Sequence, residues 1–137
     1  MIPRLRSDGT LPPGEHHATL TEVLVAFPAS SPERIVLNRA LQDALPALQK
    51  LKFVAPDMIV YVNGSYTTSQ SDPNDVDLLF LTDMLTENQI IAFFRQECPI
   101  SAIYFDIHAD SLGQTYLVRF FSATRLLLPK GIVVLDI

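Results

Sequence analysis

Residues 62–80 read VNGSYTTSQSDPNDVDLLF. An apolar run ends in Gly64-Ser65, a polar loop follows, and Asp75 and Asp77 open a second apolar run. Successive side chains of a strand point to opposite faces, so Asp75 and Asp77 share a face with Leu79 and Leu81. Val76, Leu78 and Phe80 make the other face, which is entirely apolar. The pattern predicts a strand over 75–81, buried on both sides along most of its length, with its charges at one end. Two carboxylates at this spacing stand about 7 Å apart at the backbone and repel each other. A divalent cation between them removes the repulsion. Magnesium suits the arrangement, because it takes a few carboxylates and completes its shell with water and substrate phosphates.

The flanking sequence supplies the other parts of such a site. Met58–Val62 (MIVYV) is short, β-branched and aromatic, and reads as a strand leading into Gly64. Glycine permits a sharp turn and close approach to a ligand, and serine can cap a short following helix whose free N–H groups favour an anion. The plain alternative is an ordinary strand-to-turn glycine. Ala102–Ala109 (AIYFDIHA) alternates as a further strand, with Ile103, Phe105 and Ile107 towards a core and Tyr104, Asp106 and His108 opposite. Alone, Asp106 also fits a solvent-facing position on an edge strand. With Asp75 and Asp77 it reads as the third carboxylate of a metal site, with His108 on the same face.

Around these elements the chain reads as one domain. Residues 1–18 hold three prolines and two glycines and are expected as an extended arm, leaving 19–137 as the folded unit. Apolar spacing predicts a helix over Ala18–Phe27, and Ser31-Pro32 opens a second that runs to about Lys50, with Pro46 kinking it or ending it early. Thr86 and Gln89 form a capping box for a helix to about Glu97. Residues 114–124 fit helix or strand, with helix preferred, and Gly131 releases a terminal strand, IVVLDI. The order predicts a mixed α/β (α+β) domain with a single small mixed sheet flanked by helices.

Composition bounds the function. The 137 residues are 48% apolar with mean hydropathy +0.24, which fits a compact globule. A net charge of −5 and a pI near 5.0 disfavour bulk nucleic-acid binding, although ten Lys and Arg can still form a local basic pocket. Cys98 is the single cysteine, so internal disulfides and multi-cysteine zinc sites are excluded; it reads as a small hydrophobe near a helix end rather than a reactive thiol. No apolar run approaches a membrane span and no secretory signal is visible, so a soluble, cytoplasmic protein is expected. One of His16 and His17 is expected to pack or hydrogen-bond the arm against the domain, rather than the pair holding a metal.

Gly64, Ser65, Asp75, Asp77 and Asp106 together resemble the nucleotidyltransferase superfamily of DNA polymerase beta. Its motif is a strand ending in Gly-Ser, then Asp-x-Asp opening the next strand, with a third aspartate on a later one. More widely, LPPGEHHAT at 11–19 and RLLLPKGIVVLDI at 125–137 are similar to the ends of an uncharacterised prokaryotic family of stand-alone nucleotidyltransferase-like domains. Minimal nucleotidyltransferases of this kind are often encoded in toxin–antitoxin or phage-defence operons.

The resemblance implies nucleotidyl transfer from an NTP to an acceptor hydroxyl on a protein, an RNA end or a small molecule. Asp75, Asp77 and Asp106 would hold two magnesium ions, or manganese. Asp106 would lie nearest the attacking hydroxyl as its base. Gly64 and Ser65 would hold the β- and γ-phosphates, and Lys130 is the basic residue best placed to assist them, ahead of Arg119 and Arg125. Two departures stand out. The loop after Gly-Ser reads Tyr66-Thr67-Thr68-Ser69-Gln70, without the usual basic residue, and the chain has no helical domain to grip base and acceptor. A second copy or a different protein is therefore expected to complete the site. The competing expectation is a weakly active or inactive module of the same fold, acting as an antitoxin or scaffold. Tyr66 fits either a base-stacking position or a core edge.

Overall fold

The computed structural model describes residues 1–114, 116–124 and 128–137. The elements are β1 (Glu15–Thr19), α1 (Leu20–Ala26), α2 (Pro32–Val54), β2 (Ile59–Asn63), a 3-10 turn (Ser65–Thr67) and β3 (Val76–Leu81). They continue with α3 (Glu87–Glu97), α4 (Pro99–Ala102), β4 (Phe105–Asp110), α5 (Tyr116–Phe121) and β5 (Ile132–Asp136). The expected mixed α/β domain with one mixed sheet is what forms. Its five strands lie in the order β1-β5-β2-β3-β4, with β1–β5 and β3–β4 parallel and the two central pairings antiparallel. No helix among the described residues is long and apolar enough to cross a membrane.

Local signals account for most helix ends. Thr19 and Glu22 form a capping box on α1, and Thr86 and Gln89 form one on α3. The Ser31 side chain accepts from the Arg34 N–H at the start of α2, with Pro32 in the first turn. Pro46 does not end α2, which runs on to Val54. It lies on the exposed side, and so does Gln42, whose carbonyl loses its helical partner. Ala44, Ala47, Leu48 and Leu51 keep the other side buried in the core.

One face of the sheet is closed. Val60, Val62, Val76, Leu78, Phe80, Phe105, Ile107, Val133 and Leu135 pack with apolar residues of α1, α2 and α3. On the opposite face Tyr61, Leu79, Leu81, Ile132 and Val134 meet Phe121 of α5 in a smaller cluster. Strand β3 is thus buried on both sides, as its alternation predicts. Burying one apolar side chain of this kind is worth roughly 1.5–3 kcal/mol, so the register of β3 is strongly set.

Two stretches differ from expectation. The arm predicted over 1–18 gives its last four residues to β1, an edge strand whose burial pattern, with only Ala18 buried, carries no apolar alternation to read. The preceding residues are strapped down. Leu11 is buried, Gly131 N–H donates to Leu11 O at 3.0 Å, and Arg6 donates to Pro129 O at 2.8 Å. A Cβ on Gly131 would fall 2.1 Å from Pro12 O, so only glycine lets the arm cross there. His16 bonds Pro12 O at 2.7 Å, tying the arm as expected. The strand predicted over 102–109 begins instead at Phe105, because Pro99 opens the one-turn α4 through Ala102 and leaves Ile103 exposed. Residues 114–124 contain the helix α5.

Candidate functional site

Strand order brings distant segments to one end of the sheet. There β2 ends, while β3, β4 and β5 begin. Asp77 pairs in register with Asp106 on one side and with Asn63 on the other, so the three side chains leave the same face. That face is the one covered only in part by α5. Asp75 stands just before β3, and Lys130 just before Gly131 and β5.

The tightest cluster of ligand atoms is Asp77, Asp106 and His108, all within 4.8 Å of one another. His108 Nε2 lies 3.3 Å from Asp106 Oδ2, and its ring centroid is 5.3 Å from that of Phe121. Asp75 is outside this group but close enough to interact. Burial and then the Asp106 charge raise its pKa, against the pull of His108. The Asp77 carboxyl is pushed up to about 7, first by burial, then by the Asp75 charge, and further by hydrogen bonding to and charge on Asp106. A cation relieves repulsion between carboxylates of this kind, and the oxygen-rich donor set with one imidazole fits a divalent ion.

Gly64 holds the turn beside them, with φ +82° and ψ −162°. A Cβ there would sit 1.9 Å from Asp77 Oδ2, so glycine is needed both for the backbone and for the space. The turn that follows is a single 3-10 turn with no side-chain cap, so the serine-capped helix expected after Gly64 does not form. The Thr67 and Thr68 hydroxyls donate back to Gly64 O and Ser65 O, at 3.2 and 2.6 Å, and are committed to the turn. Tyr66 is fully buried and donates to Asn38 Oδ1 at 2.6 Å. It is a core residue, not a base-stacking one.

Two residues near the turn escaped the sequence reading. Arg34, only 4% exposed, donates to Tyr66 O, Thr68 O and Gln70 O, with its guanidinium carbon 5.3 Å from the Tyr66 ring centroid. It holds the loop from the helical side, and no spacing rule marks a helix arginine for that task. Asn63 closes β2 beside Gly64, inside the quoted stretch, and its polar type at the end of an apolar strand was the signal available.

Lys130 is half-buried just before β5; burial lowers its pKa, while the Asp77 charge acts the other way. Arg119 is exposed on α5, and Arg125 lies outside the described residues. Cys98 caps α3 half-buried, its pKa raised by burial, as a packing residue should be. The arrangement sets Asp77, Asp106 and His108, which could hold a divalent ion, against a glycine turn.

A protein-family model described as "Family of unknown function (DUF6932)" matches residues 3–136. No curated protein and no solved structure matches the chain.

Proposed function

This chain belongs to the DUF6932 family of unknown function, and we propose that it is a metal-dependent nucleotidyltransferase acting on an NTP and an acceptor hydroxyl. The observation that carries the reading is the meeting of Asp77, Asp106 and His108, with Asp75 beside them, against the Gly64 turn. Asp75, Asp77 and Asp106 would hold magnesium or manganese, and His108 joins the ligand set. A divalent ion bound there neutralises the carboxylates and the phosphates and lowers the pKa of the attacking hydroxyl. The protein groups then bind and orient. Gly64 and Ser65 offer the close-approach surface for the β- and γ-phosphates, and Lys130 adds positive charge. Asp106, the most exposed of the three carboxylates, is placed to take the proton of the acceptor hydroxyl. Catalysis of this kind rests on positioning and charge stabilisation. On the face that α5 covers only in part, the acceptor is a protein hydroxyl presented by a partner or by a second copy of the chain.

The competing reading is a binding module of the same fold with little or no activity, an antitoxin or scaffold. The committed loop hydroxyls and the inward-facing Arg34 favour it, because these groups are spent on the fold rather than on a phosphate. Thermal unfolding of wild type and Asp77→Asn with each NTP, with and without magnesium or manganese, separates the two. Ligands that bind the native state raise Tm by mass action. A rise that needs nucleotide and metal together and is absent in the variant supports transfer, which radiolabelled NTP incorporation then tests. No rise under any condition moves the binding module ahead.

A further inference from the structure

We propose that Asn63 is a ligand-contacting residue, its side-chain amide donating to an anionic oxygen of the triphosphate held at the carboxylate cluster. The inference rests on the nucleotidyl-transfer reading above and names a phosphate contact outside the Gly-Ser and Asp-x-Asp pattern. Asn63 is 1% exposed, and neither its Nδ2 nor its Oδ1 has a hydrogen-bond partner among the described residues. Native proteins pair nearly all such groups, so an unpaired buried amide calls for a specific explanation.

Its position supplies one. Cross-strand pairing sets Asn63 directly opposite Asp77, on the same face, one residue before Gly64. Its own face of β2 otherwise carries Tyr61, within an apolar cluster that includes Leu79 and Ile132, and the Asp77 carboxylate opposite makes no hydrogen bond to the amide. Other donors around the turn are occupied. The Thr67 and Thr68 hydroxyls serve Gly64 O and Ser65 O, and the Arg34 guanidinium serves three carbonyls on the far side. The carboxylates and His108 already supply ligand atoms for a cation, and the Asn63 amide N–H adds a neutral donor for an anion beside them. The amide is shut off from solvent without ligand, so a phosphate oxygen reaches it by displacing a neighbouring side chain.

The test uses Mn2+ alone and Mn2+ with inorganic tripolyphosphate, which removes any dependence on the base, on full-length wild type, Asn63→Leu and Asp77→Asn. For Asn63→Leu the expected result is an unliganded Tm equal to or above wild type and unchanged Mn2+ affinity. Tripolyphosphate affinity should fall roughly tenfold to a hundredfold, the range for a lost hydrogen bond to a charged group. Tripolyphosphate affinity kept within twofold overturns the proposal. Asn63→Ser, smaller and still polar, carries the same criterion if Asn63→Leu does not fold. Binding lost in Asp77→Asn but kept in both Asn63 variants removes this inference alone. Wild type that binds neither Mn2+ nor tripolyphosphate removes it together with the nucleotidyl-transfer reading.

Discussion

Arg34 and Asn63 are buried to similar depth, at 4% and 1% exposure, on either side of the Gly64 turn. Four hydrogen bonds to loop carbonyls satisfy the guanidinium, and Tyr66 lies against it. Asn63 has none. A polar group that holds a fold together is satisfied within that fold, because leaving it unpaired is expensive. Asn63, unpaired and opposite Asp77, is the group assigned above to a bound phosphate oxygen. The same contrast divides the sheet. Its helical face is closed and apolar, whereas the α5 face carries Asp77, Asp106 and His108 at one end.

The largest effect should come from the satisfied partner. Arg34→Met leaves the Tyr66, Thr68 and Gln70 carbonyls without their donor and should lower stability by about 3–4 kcal/mol, near the top of the usual single-mutant range. Denaturant titration measures it. A loss below about 1 kcal/mol would break the contrast, since Arg34 would then be as dispensable to the fold as Asn63.

Asp77→Asn should act in the opposite direction on stability while removing metal-dependent binding. In the unfolded chain this carboxyl has its ordinary pKa of 3.8, and in the fold it is pushed up to about 7. Below pH 4 both states hold the proton and the contribution to stability is whole. As pH rises through about 7 the folded state must release a proton it holds more tightly, and that stability is lost. The wild type without metal should therefore lose stability between pH 4 and 8, and Asp77→Asn should be flatter over that range. At pH 8 the variant should be more stable by about 1–2 kcal/mol, once screening by solvent is allowed for. Thermal unfolding across the pH range checks this; a variant as steep as the wild type would place the strain elsewhere in the cluster.

His108→Ala should give the smallest change. The side chain is partly exposed, so stability should move by less than about 1 kcal/mol. Mn2+ affinity should fall roughly tenfold, with Mg2+ affected less, because imidazole favours the softer ion. Equal affinity for Mn2+ in variant and wild type would confine the ion to carboxylates and leave His108 as a neighbour of Asp106 only.

Much of this was legible in the chain. Alternation in DVDLLFL predicted a doubly buried strand with acids at its end, and Thr86 with Gln89 predicted the start of α3, since each signal is carried by a few adjacent residues. β1 was not legible, because an edge strand reading EHHAT buries one side chain and has no pattern. The short α4 was hidden behind the alternation of the strand that follows it. Asn63 was in plain view, but an asparagine at a strand end is unremarked until its surroundings are known to be apolar and its amide unpaired.

Periodicity, capping and turn chemistry are short-range, so the sequence by itself determined α1, α2 and α3, the central strands and the pairing of carboxylates along β3. Strand neighbours are chosen by which distant apolar faces bury each other, and that is not written in any local window. Only the tertiary structure decided that β5 lies between β1 and β2, that β4 runs parallel to β3, and that Asn63, Asp106, His108 and Lys130 come to Asp77 from separate parts of the chain.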